Sequence, residues 1–182
     1  MRIFWIILLI PIILNYTENS DRLSTVTIIC VGRIKEKYWK DAIDEYTKRL
    51  SRYCRLEIVE VQDEKTPENA PAAIADQIRE KEGARICKYL DPHAAVMALA
   101  IEGKKFDSPG FAEQIRRIGV NGQSHIQFII GGSLGLHPDV LKQANELISF
   151  SDLTFPHQMM RVILLEQIYR GYKIISGEPY HK

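Results

Sequence analysis

The sequence predicts an α/β fold in which helices cover both faces of a mainly parallel sheet. Short runs of β-branched and other apolar residues, typical of buried strands, alternate along the chain with amphipathic helical patterns. The run from His125 to Ile130 leads directly into the glycines Gly131, Gly132 and Gly135, after which Pro138 opens a helix. Strands that alternate with helices of this length pair in parallel and are covered on both faces.

Length and composition indicate one domain, or one domain with an appendage. The chain has 182 residues and a formal net charge of +1, so its overall charge does not indicate a nucleic-acid partner. The three cysteines form no CxxC pair and no paired histidines accompany them. This pattern argues against a disulfide framework or a zinc site and favours a reducing, cytoplasmic compartment.

Residues 1–25 differ in character from the rest of the chain. An apolar run from Ile3 to Leu14 is too short for a comfortable membrane span, which needs about 20 residues. Residues 15–17 offer no small-residue cleavage site for a secretion signal. A signal, a weak anchor and translated upstream sequence are the three alternatives, and we favour the last. We expect residues 26–182 to form a single domain and the leader to lie outside it.

Five apolar runs predict the strands of the sheet. The first four are six or seven residues long, and the second alternates between apolar and charged residues. The predicted strands are Val26–Val31, Leu56–Val61, Ala95–Ile101, His125–Ile130 and Leu147–Phe150.

Five helices are predicted between and after these strands. The second begins at Thr66, because Pro67 suits a first helical turn and Glu68 is favourable near the positive end of the helix dipole. It extends toward Leu90, although Gly83 weakens its middle. The other predicted helices span Lys35–Tyr53, a segment that starts at Ser108, Pro138–Ala144, and Pro156 to about Ile175.

The glycine-rich turn within Phe128–Leu136 is the first candidate binding site. A strand that runs into glycines and then a helix brings backbone N–H groups to the carboxyl edge of a sheet, where open α/β folds bind ligands. The turn is neither a Walker loop nor the dinucleotide fingerprint, because its spacing is Gly-Gly-x-x-Gly. A tight connection without a ligand is the alternative.

The first predicted helix carries a basic face. Between Arg33 and Arg55 there are eight lysines and arginines against four acidic residues, with aromatic residues interleaved. A solvated helix face explains such a run, and so does a surface that binds phosphates.

Arg161 occupies an unusual position in the last helix. At 100° per residue it falls at the centre of an arc of apolar residues that includes Leu164, Leu165 and Ile168. A buried guanidinium must be paired or must face a ligand. As the environment of Arg161, we favour a dimer interface or an active site slightly over a structural ion pair. Apolar residues outside the arc, such as Met159, indicate that another surface covers this helix in addition to the sheet, for example a second protomer.

Four separated segments carry the most distinctive patterns of the chain. They are the opening TIICVGRIKEKYWK, the loop FIIGGSLGL, the segment LTFPHQMMRVILLEQIYRGYKI and the terminus GEPYHK. Together they resemble the ribosomal RNA large subunit methyltransferase H family, which belongs to the SPOUT class of knotted methyltransferases. The resemblance covers essentially all of Val26 to Lys182.

This resemblance implies a homodimer that transfers a methyl group from S-adenosyl-L-methionine, without a metal. The implied acceptor is N3 of a pseudouridine in the large-subunit rRNA of assembled ribosomes. The resemblance also implies a C-terminal trefoil knot in the sheet, a rare exception to unthreaded chains. No stable membrane partner is expected, despite the apolar leader.

The resemblance also assigns site residues. It implies catalytic roles for three residues near the C-terminus: Arg161 would bind a uracil carbonyl or a phosphate, Tyr180 would stack on the splayed base, and His181 would accept a proton. His157 is expected to have a structural role in the first turn of its helix. The implied cofactor-binding residues are Leu99, Gly131, Gly132, Phe150, Ser151, Asp152, Leu153, Thr154 and Phe155.

Two other classes of function stay open. One is a nucleotide- or flavin-binding α/β module without methyl transfer. The other is a membrane-anchored RNA-binding protein that uses the leader.

Overall fold

The computed structural model describes residues 24–180, so residues 1–23, His181 and Lys182 lie outside the described part. The described chain contains a five-stranded, fully parallel sheet in the order β2-β1-β4-β3-β5, which confirms the predicted fold class. Its strands are β1 (Ser24–Val31), β2 (Cys54–Val61), β3 (Ala95–Lys105), β4 (His125–Ile130) and β5 (Glu146–Ser149).

Helices cover both faces of this sheet. They are α1 (Lys37–Leu50), α2 (Ala72–Cys87), α3 (Ser108–Val120), α4 (Pro138–Gln143) and α5 (His157–Ile175). On one face, α5 packs between α1 and α3, while α2 and α4 pack on the other. None of these helices, all within residues 24–180, has the length and apolar character that a bilayer crossing requires.

The central strands are buried on both sides, which explains their mainly apolar runs. In β1, Ile28 contributes to the core beneath α1, α3 and α5, whereas Ile29 contributes to the core beneath α2 and α4. In β4, Phe128 likewise contributes to the first of these cores and Ile129 to the second. Successive side chains of a strand point to opposite faces, so a strand covered on both faces carries mainly apolar residues. The buried polar residues Thr27 and Gln127 are hydrogen-bonded, to His125 and to the Tyr89 carbonyl.

The predicted helix start at Thr66 is wrong, because α2 begins at Ala72. Asn69 has a φ of +59°, a left-handed conformation that interrupts a right-handed helix. The Thr66 hydroxyl instead lies 3.2 Å from the hydroxyl of Ser133 in the glycine-rich turn. The segment between β2 and α2 is therefore an irregular connection that contacts this turn.

Two glycines allow close packing within the described elements. Gly83 lies inside α2. An added Cβ there would lie 3.0 Å from the His137 Cβ and 3.2 Å from the Val140 side chain, so the lack of a Cβ at Gly83 lets α4 pack closely against α2. At Gly103 an added Cβ would lie 2.5 Å from the Ile148 backbone. There β3 continues past its predicted end at Ile101, after a register irregularity between Leu99 and Lys104.

Candidate active site

The three segments assigned to the cofactor meet at the carboxyl edge of the sheet. Leu99 of β3 pairs with Ile148 of β5, and its neighbour Ala98 pairs with Ile129 of β4. The glycine-rich turn follows β4 directly, and residues 150–155 follow β5 directly. Leu99 is the last residue of β3 before its register with β5 shifts. Because neighbouring strands lie about 4.8 Å apart, Leu99 and the ends of β4 and β5 span only about 10 Å across the sheet. Backbone groups from all three segments are therefore available to one ligand.

The glycine-rich turn folds tightly on itself. The Gly135 N–H donates to the Gly132 carbonyl at 3.1 Å, and Gly135 has a φ of +79°. A Cβ at Gly131 would lie 2.8 Å from the backbone carbon of Gly135. The turn therefore requires glycine for close approach at Gly131 and for its backbone conformation at Gly135.

The segment after β5 is held as a hydrogen-bonded turn. The Ser149 hydroxyl donates to the Ser151 carbonyl at 3.1 Å, and the Leu153 N–H donates to the Ser151 hydroxyl at 2.9 Å. Asp152 forms an ion pair with Lys105, with Nζ and Oδ2 2.5 Å apart. This turn leaves Leu153 71% exposed, although it is a large apolar residue, so its side chain is free to contact a ligand.

A cleft of about 580 Å³ opens beside this segment, between the start of α3 and the outer side of α5. Its size is that of a small-ligand site. Two of the residues assigned to the cofactor, Phe150 and Phe155, lie in its wall. The lining consists of Phe106, Asp107, Ser108, Pro109, Phe150, Phe155, Ile163 and Gln167.

Arg161 is buried, as its place in the apolar arc predicted, with 1% of the residue exposed. Its Nη1 donates to Glu60 Oε1 at 2.6 Å. Its Nη2 donates to the carbonyls of Val31 at 3.0 Å and Gly32 at 2.5 Å, whereas Nε has no partner among the described residues. The ion pair that the sequence left as an alternative is present and fixes the first turns of α5 to β2, while the two carbonyl bonds fix them to the end of β1. The catalytic role assigned to Arg161 stays a prediction.

His157 lies next to this ion pair, in the first turn of α5. Its Nε2 lies 3.3 Å from the position that a Cβ on Gly32 would occupy. Burial, together with the positive charge of Arg161, lowers the pKa of His157 below its usual value. His157 is therefore neutral at physiological pH and packs against the backbone at the end of β1.

Tyr180 packs along α5, away from the segments assigned to the cofactor. Its ring lies 5.0 Å from the Tyr169 ring, the Arg170 guanidinium lies 4.8 Å from its centroid, and its hydroxyl donates to Glu166 at 3.4 Å. Tyr169 follows His157 by 12 residues, a distance of about 18 Å along the helix axis. His181, the third residue assigned to catalysis, lies outside the described residues.

The sequence did not mark two residues that the structure places against the glycine-rich turn. One is Thr66, which contacts Ser133. The other is Glu82 of α2, whose carboxylate lies beneath Gly132. No local pattern distinguishes Glu82, because charged residues occur on several sides of α2. Within residues 24–180, no cluster of three or more His, Cys, Asp or Glu side chains is arranged to hold a metal ion.

The parallel fold and the glycine-rich strand end are those of a SPOUT-class methyltransferase. A family described as "Predicted SPOUT methyltransferase" matches residues 25–181. Among solved structures, a probable methylase family protein from Haemophilus influenzae Rd KW20 has a TM-score of 0.49 and 9% identity, over 88% of this chain and 71% of that one.

Curated relatives indicate one family within this class. Ribosomal RNA large subunit methyltransferase H of Bifidobacterium adolescentis is 62% identical over 157 residues, covering 86% of this chain and 99% of the relative. The protein of that name from Clostridium kluyveri is 55% identical with the same coverage. The chain therefore belongs to the ribosomal RNA large subunit methyltransferase H family.

Proposed function

We propose that this protein transfers a methyl group from S-adenosyl-L-methionine to large-subunit ribosomal RNA. The observation that carries the proposal is the meeting of Leu99, the glycine-rich turn and residues 150–155 at one edge of the sheet, in a chain of this family. The finer parts of the proposal are N3 of a pseudouridine as acceptor, the assembled ribosome as substrate, a homodimer, a trefoil knot and a cytoplasmic location.

The donor would be held by strand-end backbone groups and flanked by apolar side chains. Leu99, Leu153 and Phe155 are assigned to the adenine ring, and the exposure of Leu153 supports this assignment. When bound, the donor supplies an electrophilic methyl on its sulfonium. The protein then has to align this methyl with the acceptor nitrogen and exclude water.

The acceptor nitrogen must lose a proton, and the groups assigned to this step are close to the C-terminus. His181 would accept the proton, Tyr180 would stack on the base and Arg161 would bind a carbonyl or a phosphate. In one protomer the tail packs along α5, about 18 Å along the axis from its first turn. This separation supports a homodimeric site in which the tail of one protomer completes the site of the other.

Methylation of defined substrates tests the proposal. Purified protein and labelled S-adenosyl-L-methionine are incubated with intact ribosomes, isolated large subunits and naked rRNA, and the modified nucleotide is mapped. We expect label in intact ribosomes only, at N3 of one pseudouridine. Label at another nucleotide, or equal label in naked rRNA, would contradict the finer parts of the proposal. Flavin binding without donor binding would contradict methyl transfer itself.

A further inference from the structure

A buried carboxylate with an unpaired oxygen lies beneath the glycine-rich turn. Glu82 of α2 is only 4% exposed. Its Oε1 accepts a hydrogen bond from the Glu64 N–H at 2.9 Å, whereas Oε2 is buried and has no partner among the described residues. Native proteins pair nearly all buried polar groups, so an unpaired carboxylate oxygen indicates a function.

The unpaired oxygen points at the backbone of Gly132. A Cβ on Gly132 would lie 2.8 Å from Glu82 Oε2 and 3.1 Å from the Val31 side chain. Gly132 does not have a positive φ, so glycine is required here for space and not for backbone conformation. No side chain therefore separates the carboxylate of Glu82 from the turn.

The surroundings of Glu82 contain more negative than positive charge. Burial raises the pKa of Glu82, and the charges of Asp63 and Glu64 raise it further. The Glu64 N–H and the Arg85 guanidinium lower it. Arg85 already forms an ion pair with the Glu64 carboxylate and donates to the Gln62 carbonyl at 2.8 Å.

Two further titratable residues, His137 and Asp139, lie at the start of α4, which packs against α2. His137, which precedes α4, packs against the next residue of α2, Gly83, and lies 3.6 Å from Asp139. Glu82 therefore lacks a dedicated counter-ion within the described part of the chain.

We propose that Glu82 is a specificity-determining residue whose unpaired carboxylate oxygen favours a cationic ligand at the glycine-rich turn. The ligand is S-adenosyl-L-methionine, whose sulfonium carries a positive charge, and the disfavoured ligand is the product S-adenosylhomocysteine, whose sulfur is neutral. This inference rests on the proposed function. A fixed charge in a poorly solvated site acts on a ligand charge without direct contact. Glu82 would therefore help the turn retain the donor and release the product.

Calorimetric titration of both ligands tests this role. Wild-type protein, Glu82→Gln and Glu80→Gln are each titrated with S-adenosyl-L-methionine and with S-adenosylhomocysteine near pH 8. Glu82→Gln retains the oxygen that accepts from Glu64 and removes only the charge. Glu80→Gln is the matched control, since it removes the same charge from an exposed position on α2.

We expect Glu82→Gln to lower donor affinity about tenfold and product affinity less than about twofold, and Glu80→Gln to change neither. An unchanged ratio of donor to product affinity in Glu82→Gln would overturn the inference. Failure of both ligands to bind the wild type would instead overturn the proposed function.

A measurement on the wild type alone covers the case in which Glu82→Gln does not fold. Below about pH 7 the α-amino and α-carboxylate groups of both ligands keep the same charges, so these groups do not change the ratio of the two affinities. Because burial raises the pKa of Glu82 and a cationic ligand favours the ionised carboxylate, the preference for the donor should grow as the pH rises above the ordinary carboxyl value of 4.5. A ratio that stays constant from this value to about pH 7 would contradict the assignment.

Discussion

Arg161 of α5 and Glu60 of β2 form an ion pair in which Nη1 and Oε1 are 2.6 Å apart, and it fixes the last helix to the carboxyl edge of the sheet. The same Glu60 oxygen accepts a hydrogen bond from the Ile34 N–H at 3.1 Å, so the pair also orders the chain after β1. Arg161 is almost completely buried, whereas the Glu60 side chain is 34% exposed. Removal of Glu60 would therefore leave a buried cation without its counter-ion.

We expect Glu60→Ala to lower the free energy of unfolding by about 2–4 kcal/mol, because loss of one partner of a buried pair leaves an uncompensated charge. Glu57→Ala on the same strand is the control. Glu57 pairs with Arg55 at 3.1 Å on the surface, and such pairs contribute about 0–1 kcal/mol. Urea unfolding of both variants measures the difference. Equal losses in the two variants would show that the Arg161 pair contributes no more than a surface pair.

His157 should make stability depend on pH. Its pKa is lowered in the folded protein, so between this lowered pKa and the ordinary value near 6.5 the unfolded chain binds more protons. Its contribution to stability is complete above about pH 6.5 and is lost as the pH falls toward the folded-state pKa. We expect His157→Gln to flatten the dependence of unfolding free energy on pH in this window. An unchanged slope in urea titrations between about pH 5 and 7 would contradict this.

Periodic patterns predicted the sheet and the burial of Arg161, because these features follow from the local order of apolar residues. The runs in β1 and β4 are mainly apolar because both of their faces are covered. The position of Arg161 on the apolar side of α5 depends on residues three and four positions away. Its partner could not be predicted in this way, since Glu60 lies 101 residues earlier in the chain.

Features that depend on tertiary contacts were not visible in the sequence. Pro67 and Glu68 are a good start for a helix, but the positive φ of Asn69 and the contact of Thr66 with the glycine-rich turn override that local preference. Glu82 is one of several charged residues on α2, and only the assembled fold places it beneath Gly132.

Deletion of Tyr180–Lys182 should abolish methyl transfer and leave donor binding within about twofold, because the residues of the tail are assigned to the acceptor base and its proton and not to the donor. Tyr180→Phe is a milder variant. It retains the ring that packs on Tyr169 and loses the hydroxyl that bonds to Glu166 and interacts with Tyr46, so it should keep more activity than the deletion. Methyl transfer to ribosomes and calorimetric donor binding provide the two readouts. Full activity in the deletion would refute a catalytic role for the tail.

The basic face of α1, together with Arg52 in the turn that follows it, should contribute to ribosome binding. Arg49 pairs with Glu45 at 2.8 Å, and the Arg52 guanidinium lies 5.7 Å from the centroid of the Tyr53 ring. We expect Arg49→Glu and Arg52→Glu to weaken binding and to reduce its dependence on salt, because each lost phosphate contact lowers the slope of log K against log salt by roughly 0.7–0.9. Lys88→Glu, at the exposed end of α2, is the control. Equal effects from all three variants would indicate a general charge effect without a defined surface.

Gly132→Ala tests whether the carboxylate beneath the glycine-rich turn restricts this position. The new Cβ would lie 2.8 Å from Glu82 Oε2 and 3.1 Å from the Val31 side chain. Over-packing of this kind costs about 1–3 kcal/mol, and we expect Glu82→Ala to relieve part of that cost. A double-mutant cycle from urea unfolding should then give a coupling energy of at least about 0.5 kcal/mol between the two positions.

Gly119→Ala is the control for this cycle. Gly119 lies in α3 with no atom within 4 Å of its Cβ position, so alanine there should raise stability by up to about 1 kcal/mol through helix propensity. It should also show no coupling to Glu82. If Gly132→Ala and Glu82→Ala are additive, the carboxylate does not limit the space beneath Gly132, and glycine at this position serves only to avoid Val31.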